Sequence, residues 1–127
     1  MIVLDASVLI AHLDGGDGHH SDAQSLLEDN RQEPLGASPI TLAETLVSPA
    51  RADRLADAET ALRRLGVEEL ALGENAPGRL ARLRTDTGLK MPDCCVLLAA
   101  QSHDAHVASF DTDLLKAAHM LGLATTE

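Results

Sequence analysis

The sequence predicts an α/β fold in which a short parallel central sheet is covered by helices on both faces. Short apolar runs such as Ile2-Val3-Leu4 alternate with longer segments whose apolar residues follow helical spacing. This alternation is typical of βαβ units, and strands that are apolar throughout are typical of parallel strands buried on both faces. The length of 127 residues fits a single domain, which we expect to cover residues 1–127.

The pattern and its turn signals predict the elements in order. Strands are expected at 2–4, 35–37, 67–72, 106–109 and 122–124. Helices are expected at 6–13, 19–30, from residue 38 onward, and at 52–65, 75–87, 92–102 and 111–121. Ser38-Pro39 is a strong helix start, since Ser can cap a helix and Pro suits its first position. We expect that helix to bury Ile40, Ala43, Leu46 and Val47.

Composition and charge exclude several classes of protein. Phe110 is the only Phe, Tyr or Trp, so 22 leucines and 20 alanines must build the core, and a multi-aromatic base-stacking platform is excluded. The net charge of −10 has the wrong sign for a passive nucleic-acid coat protein, but it suits an enzyme whose carboxylates hold cations. The adjacent Cys94 and Cys95 cannot staple the fold, and no signal peptide or membrane span is apparent. We therefore expect a reducing, cytoplasmic environment.

Four acidic residues are predicted to meet at one edge of the sheet. Asp5 ends the first strand, and Asp111 closely follows the strand at 106–109. Asp93 lies in the first turn of its helix, and Glu44 lies farther into the helix that begins at Ser38. Ligands of parallel α/β sheets bind at the carboxyl ends of the strands, and converging carboxylates without a basic partner repel one another. A divalent cation would relieve this repulsion, and oxygen ligands favour Mg²⁺ or Mn²⁺.

A structural role is the competing interpretation of each acid taken alone. Asp93 and Asp111 occupy positions typical of helix caps and first turns, and Glu44 alone is typical of a solvated helix face. Asp5 is harder to explain in this way, because it follows a buried strand and precedes apolar residues. The occurrence of all four together favours the functional interpretation.

The same residues carry a resemblance to a known family. Its motifs occur in order as Ile2-Val3-Leu4-Asp5-Ala6-Ser7, Ala43-Glu44, Pro92-Asp93 with Ala99-Ala100, and Ser109-Phe110-Asp111-Thr112-Asp113-Leu114. In motif order, spacing and size, the chain resembles PIN domains, most closely the VapC ribonuclease toxins of VapBC toxin–antitoxin pairs. One departure is Cys94-Cys95, where small Ala-like residues are more usual after the third acid.

The resemblance implies an α/β/α sandwich that cleaves RNA with Mg²⁺ or Mn²⁺. Asp5 and Asp93 are then expected as direct metal ligands. Asp111 would complete the site or bind through water, and Glu44 would hold a metal-bound water or a second ion. Asp113 is an alternative for the fourth position, although a first-turn dipole role suits it better. The resemblance also implies a homodimer and a cognate VapB-like antitoxin that inhibits the enzyme.

Three further features leave alternatives open. Ser7 and Ser109 either hydrogen-bond the carboxylates or phosphate, or they act only as local caps. The His- and Asp-rich stretch at 12–22 is a solvated loop and helix start, or else a substrate-contacting lip near Asp5. Residues 51–90 hold eight of the ten basic side chains, which either contact RNA phosphates or pair with nearby acids.

Other α/β classes compete with the nuclease interpretation. A two-component receiver domain needs an acidic pair near the first strand and a suitably placed late lysine, whereas Asp5 stands alone and Lys116 lies in a predicted helix. A haloacid-dehalogenase-type phosphatase needs Asp-x-Asp after the first strand, where this chain has Asp5-Ala6-Ser7. A non-catalytic or signalling, receiver-like module with an acidic cation-binding pocket is the alternative function.

Overall fold

Five strands and seven helices are present in the computed structural model, which describes residues 1–126. The strands are β1 (Ile2–Leu4), β2 (Leu35–Ala37), β3 (Val67–Glu69), β4 (His106–Ala108) and β5 (Thr125–Thr126). The helices are α1 (Ala6–Leu13), α2 (His20–Asp29), α3 (Pro39–Arg51), α4 (Leu55–Leu65), α5 (Ala76–Thr87), α6 (Met91–His103) and α7 (Thr112–Met120).

The sheet is parallel throughout, and its strand order is β3-β2-β1-β4-β5. β1 lies in the middle, with Ile2 opposite Leu35 of β2 and Val3 opposite Val107 of β4. The order changes direction between β1 and β4, which is where parallel α/β folds form a crevice at the carboxyl ends of their strands. The predicted α/β fold with a parallel central sheet is confirmed.

Apolar side chains pack on both faces of this sheet. Ile2 and Leu4 lie in one core with side chains of α1, α2 and α4, whereas Val3 lies in a second core with side chains of α5, α6 and α7. Successive strand residues point to opposite faces, so the three residues of β1 contribute to both layers, and each is at most 2% exposed. Burial of such short strands on both faces explains why they read as continuous apolar runs.

Local sequence signals define two helix ends as predicted. Ser38 caps α3, because its Oγ accepts a hydrogen bond from the backbone N of Thr41 at 3.1 Å, and Pro39 is the first helical residue. Gly66 ends α4 in the left-handed region with φ of 85°, a conformation that glycine adopts at little cost. No helix within residues 1–126 is long and apolar enough to cross a membrane.

The buried face of α3 differs from the prediction. Ile40 and Val47 are 44% and 46% exposed, Ala43 is exposed, and Leu46 is only partly buried. The fully buried residues are instead Thr41 and Thr45.

Hydrogen bonds within the helix and its cap explain why α3 can bury hydroxyl groups. Ser38 Oγ donates to Thr41 Oγ1 at 3.1 Å, and Thr45 Oγ1 donates to the carbonyl of Thr41 at 2.9 Å. A buried hydroxyl that has a partner avoids most of the desolvation cost. The prediction that Ile40, Ala43 and Val47 face inward is therefore wrong.

Three predicted boundaries are also wrong. The last strand is Thr125–Thr126 rather than 122–124, because Gly122 forms a turn with φ of 77° at the end of α7. β3 ends at Glu69 and α4 begins at Leu55, each three residues inside the predicted bound. These differences lie in the connections and leave the order of elements unchanged.

Gly36 in β2 has no room for a side chain. A Cβ there would lie 2.5 Å from Leu70 Cδ1 and 2.7 Å from Leu70 Cγ, and Leu70 is 2% exposed. We expect Gly36→Ala to lower the free energy of unfolding in urea by about 1–3 kcal/mol, the usual cost of overpacking a core. Gly18→Ala is the matched control, because nothing lies within 4 Å of its Cβ position. Equal stability of the two variants would contradict the packing of Leu70 against β2.

Candidate active site

Asp5 is a buried acid at the carboxyl end of β1. It directly precedes α1 and is 7% exposed. Ser7 Oγ and Ser109 Oγ each donate a hydrogen bond to Asp5 Oδ2 at 2.7 Å. Both serines bond the same oxygen, and no residue from 1 to 126 donates to Oδ1. The serines therefore orient the carboxylate and leave Oδ1 available to another ligand.

Asp111 follows β4 and is connected to Asp5 through Ser109. The backbone N of Asp111 donates to Ser109 Oγ at 2.9 Å. Asp111 also caps α7: its Oδ1 accepts hydrogen bonds from backbone N–H groups of the first turn, the shorter one from Asp113 at 2.9 Å. The cap occupies only Oδ1, so the structural role and a role at the site are compatible.

Asp93 and Glu44 approach the same region from two helices. Asp93 lies in the first turn of α6 and is partly buried, whereas Glu44 lies on α3 and is exposed. Within residues 1–126 neither carboxylate accepts a hydrogen bond, and every ion pair lies elsewhere.

The four carboxylates are electrostatically coupled. The pKa of Asp93 is raised to about 6, and burial is the largest cause. The negative charges of Asp5, Asp111 and Glu44 contribute to this value, and the positive charge of Lys90 opposes them. Burial and the charge of Asp5 also raise the pKa of Glu44. The structure thus brings the four predicted acids into one cluster whose charge is not neutralised by a basic side chain.

The donor set fits a hard divalent cation. All four side chains offer carboxylate oxygens, which are the ligands that Mg²⁺ and Mn²⁺ prefer. As they stand, no three acidic, histidine or cysteine side chains among residues 1–126 lie close enough to bind one ion together. Mg²⁺ is usually held by one or two carboxylates together with waters and substrate phosphates, so the site needs no complete protein cage. Asp5 and Asp93 have the free oxygens that direct ligation requires.

Asp113 stands apart from this cluster. It is exposed in the first turn of α7, and it makes no contribution to the pKa shift of Asp93. An exposed position in the first turn agrees with the interaction with the helix dipole that the sequence favoured for Asp113.

Several basic side chains of residues 51–90 have local partners. Arg54 pairs with Asp57 at 3.5 Å. Arg79 and Arg84 donate hydrogen bonds to polar groups of α6 and of the loop before it. Pairing with a nearby acid, one of the two alternatives drawn from the sequence, is seen for Arg54, whereas Arg79 and Arg84 bond neutral groups. Among the basic residues of 1–126, the charge of Lys90 lowers the pKa of Asp93.

Cys94 and Cys95 are buried in α6. Both are buried free thiols, and burial raises the pKa of each. A thiol with a raised pKa is a poor nucleophile at neutral pH, so neither cysteine provides the chemistry of the site.

One contact near Asp5 was not predicted, although one alternative placed the stretch at 12–22 there. The rings of His19 and Phe110 are stacked, with centroids 4.6 Å apart and an interplanar angle of 13°. His19 belongs to the loop after α1 and Phe110 to the loop after β4, so no local pattern indicates their contact. The nearby His20 is used structurally, since its Nδ1 lies 2.7 Å from the carbonyl oxygen of Ala11.

The fold and the acidic cluster agree with the family comparison. Residues 2–120 match the PIN domain family, and the chain belongs to this family. The resemblance drawn from the sequence motifs is therefore confirmed. Comparison with curated protein sequences gave no significant match.

Similar solved structures include proteins of toxin–antitoxin systems. A toxin–antitoxin complex from Klebsiella pneumoniae is 25% identical, with a TM-score of 0.73 and 88% of each chain covered. FitAcB from Neisseria gonorrhoeae is 20% identical, with a TM-score of 0.73, 100% of this chain covered and 97% of that chain. The sarcin–ricin loop cleaving toxin VapC20 from Mycobacterium tuberculosis is 20% identical, with a TM-score of 0.64 and coverages of 92% and 95%.

Replacing Asp93 with Asn is expected to stabilise the metal-free protein at neutral pH. Folded Asp93 keeps its proton up to about pH 6, whereas the unfolded chain releases it near the ordinary value of 3.8. Between these two pKa values the folded state binds more protons than the unfolded state, so the free energy of unfolding of the wild type falls as pH rises. At pH values above both, the loss of stability is constant. We expect Asp93→Asn to gain about 1 kcal/mol at pH 7, after allowance for solvent screening.

Calorimetry with a chelator, at pH 7 and well below pH 3.8, measures this difference. The gain should be absent at the lower pH, where Asp93 is protonated in both states. Asp113→Asn is the control, since Asp113 lies outside the cluster. A gain that does not change with pH would show that charge repulsion at Asp93 is not its cause.

Proposed function

We propose that the protein is a metal-dependent endoribonuclease of the VapC type, which hydrolyses RNA phosphodiester bonds and acts as the toxin of a toxin–antitoxin pair. The observation that carries the proposal is the set of four carboxylates at the edge between β1 and β4, none of them paired with a basic side chain within residues 1–126. Membership in the PIN domain family and the fold shared with toxin–antitoxin proteins support it. The free thiols of Cys94 and Cys95 agree with action in the cytoplasm.

Mg²⁺ or Mn²⁺ would be held by Asp5 and Asp93, with Asp111 and Glu44 completing the site. A bound divalent ion supplies a Lewis acid for the phosphate and lowers the pKa of a coordinated water. Asp5 contributes a carboxylate that the hydroxyls of Ser7 and Ser109 hold in one orientation. Preorganisation of this kind avoids reorientation during the reaction.

Asp93 and Asp111 are acidic residues at the N-termini of two helices. Asp93 lies in the first turn of α6, and Asp111 caps α7. The partial positive charge of a helix N-terminus favours an ionised carboxylate, which partly offsets the repulsion within the cluster. Glu44 lies farther from a helix end, on an exposed surface, where it can contact a second ion or a water molecule.

RNA cleavage with added Mg²⁺ or Mn²⁺ is the expected activity, and a chelator should stop it. Asp93→Asn and Asp5→Asn keep the side-chain shape and remove the charge, so each should reduce cleavage by at least about a hundredfold, in the range of losing a preorganised electrostatic contact. Gel analysis of labelled RNA fragments measures this loss.

The two aspartates of the α7 start provide a matched pair for the same assay. Asp111→Asn retains a capping side chain and should still lose cleavage, whereas Asp113→Asn should keep it. Undiminished cleavage by Asp93→Asn would rule out the assignment. Absence of cleavage by the wild type with either metal would favour the non-catalytic module.

We also propose that a VapB-like antitoxin binds the groove between α1, α3 and α4. This groove has a volume of about 430 Å³, and its lining includes Ile10, Leu13, Ala58 and Ala61 together with Glu44 of the site. Its apolar part suits an amphipathic segment, and its acidic end suits an Arg, whose guanidinium binds carboxylates in a bidentate way. Such a side chain would neutralise the cluster in place of the metal.

A homodimer is the third part of the proposal. Ile40, Val47 and Leu55 are each more than 40% exposed on α3 and α4. Exposed apolar residues that cluster on one surface are typical of a protein interface. Self-association and antitoxin binding would together cover the apolar surface of these two helices.

Inhibition by the antitoxin is expected to depend on its basic residues. Opposite net charges accelerate encounter and are screened by salt. Higher salt should therefore slow association more than it speeds dissociation, because apolar contacts hold the complex together. Surface-based binding kinetics and cleavage assays with the protein encoded beside this chain test the prediction. If inhibition survives replacement of every basic residue in its tail by Ala, inhibition does not use the acidic cluster.

A further inference from the structure

The stacked rings of His19 and Phe110 form an aromatic surface beside the acidic cluster. Phe110 is half-buried, while the His19 side chain is 56% exposed. Phe110 covers one face of the imidazole at a centroid distance of 4.6 Å. The exposed part of His19 therefore includes the opposite, solvent-facing side of its ring.

Hydrogen bonds hold both members of this pair in place. The backbone N of Phe110 donates to Ser7 Oγ at 3.0 Å, and Ser7 Oγ in turn donates to Asp5 Oδ2. On the other side, the backbone N of His19 donates to Asp17 Oδ1 at 2.8 Å. The His19 ring also lies next to Asp22, with Nδ1 3.3 Å from the carboxylate oxygen. The aromatic pair is thus fixed relative to the Asp5 carboxylate.

We infer that this pair, the His19–Phe110 lip, stacks a nucleobase of the RNA next to the phosphate that is cleaved. The inference rests on the proposed nuclease function and adds to it a contact that fixes the substrate. Phe110 lies between Ser109, which binds Asp5, and Asp111, so the lip adjoins the carboxylates that act on the phosphate. Stacking on an aromatic ring tolerates any base, because every base has a π-face.

The surrounding charge favours a base over other contacts at this point. Asp17 and Asp22 flank His19, and Asp111 follows Phe110, so a phosphate group would be repelled from the lip. A neutral, flat base meets no such repulsion. The lip therefore positions the substrate through a base, and the carboxylates, which would hold the divalent ion, face the phosphate.

A chain with one stacking surface differs from a multi-aromatic RNA-binding platform. The absence of Trp and Tyr and the single Phe exclude several successive stacked bases. One base on His19 is compatible with this composition, because the imidazole supplies the outer ring and Phe110 supports it.

Cleavage kinetics on short single-stranded RNA oligonucleotides test the lip. The cleaved bond is mapped with the wild type, and each flanking nucleotide is then replaced in turn by an abasic ribose. We expect His19→Ala to lower kcat/KM on the intact RNA by about five- to twentyfold, the lower part of the range for losing one stacked base. The loss should appear mainly in KM, as for an interaction made equally in the bound substrate and the transition state.

The abasic substrates distinguish stacking from a structural role. With the base at the lip removed, the wild type should fall to the level of His19→Ala, and the variant should lose nothing further. His19→Phe should restore most of the activity on intact RNA. His103→Ala is the matched control, since His103 is exposed at the C-terminal end of α6, opposite the end that holds Asp93, and its side chain hydrogen-bonds the carbonyl of Ala71.

The outcomes separate the two proposals. If the wild type cleaves RNA and His19→Ala cleaves it equally well, the lip is wrong and the nuclease stands. If His19→Ala cleaves more slowly than the wild type by the same factor on intact RNA and on abasic RNA, the pair only holds the loop in place, and base stacking is wrong. If the wild type cleaves no RNA with Mg²⁺ or Mn²⁺, both proposals fail.

Discussion

Repulsion among carboxylates that lack basic partners is the constraint around which the site is built. Asp93 shows it most clearly, because burial and three neighbouring negative charges raise its pKa to about 6. The fold creates this situation through topology: β1 and β4 are neighbours, so Asp5 and Asp111 emerge at the same edge of the sheet. The first turn of α6 adds Asp93, and α3 adds Glu44. A folded state that keeps these charges together gives up stability without a cation and regains it when a cation binds.

The groups around the acids restrain them without neutralising them. The hydroxyls of Ser7 and Ser109 orient Asp5 through one oxygen, and backbone N–H groups of α7 bind one oxygen of Asp111. Neutral donors and helix ends lower the cost of the charges but leave free oxygens for ligands. The groove that includes Glu44 and the aromatic lip of His19 and Phe110 are formed by different side chains near the cluster. Inhibitor and substrate would thus approach the same carboxylates from different elements of the fold.

Local patterns predicted the elements that position the site, whereas contacts between distant segments could not be predicted. The apolar run Ile2–Leu4 predicted a buried strand, because both of its faces contact apolar helices. Ser38-Pro39 predicted the start of α3, because Ser38 caps that helix. The inward face of α3 was misassigned, because internal hydrogen bonds allow Thr41 and Thr45 to be buried. The stacking of His19 on Phe110 has no signal in the sequence, because it depends on how two loops meet in space. Three of the acids were predictable from local pattern, since a strand end and two helix N-termini place Asp5, Asp93 and Asp111 at one edge, whereas Glu44 lies beyond the first turn of α3.

The pKa of the Asp93 carboxyl group, measured with and without a cation, tests most directly whether the cluster binds a divalent ion. Carbon-13 NMR of the labelled carboxyl group, followed as a function of pH, reports its pKa in the intact protein. We expect a pKa near 6 with a chelator and a pKa below the ordinary value of 3.8 with saturating Mg²⁺, because a bound cation favours the ionised form. A pKa of about 6 that saturating Mg²⁺ leaves unchanged would contradict the claim that these carboxylates are assembled to hold a divalent ion.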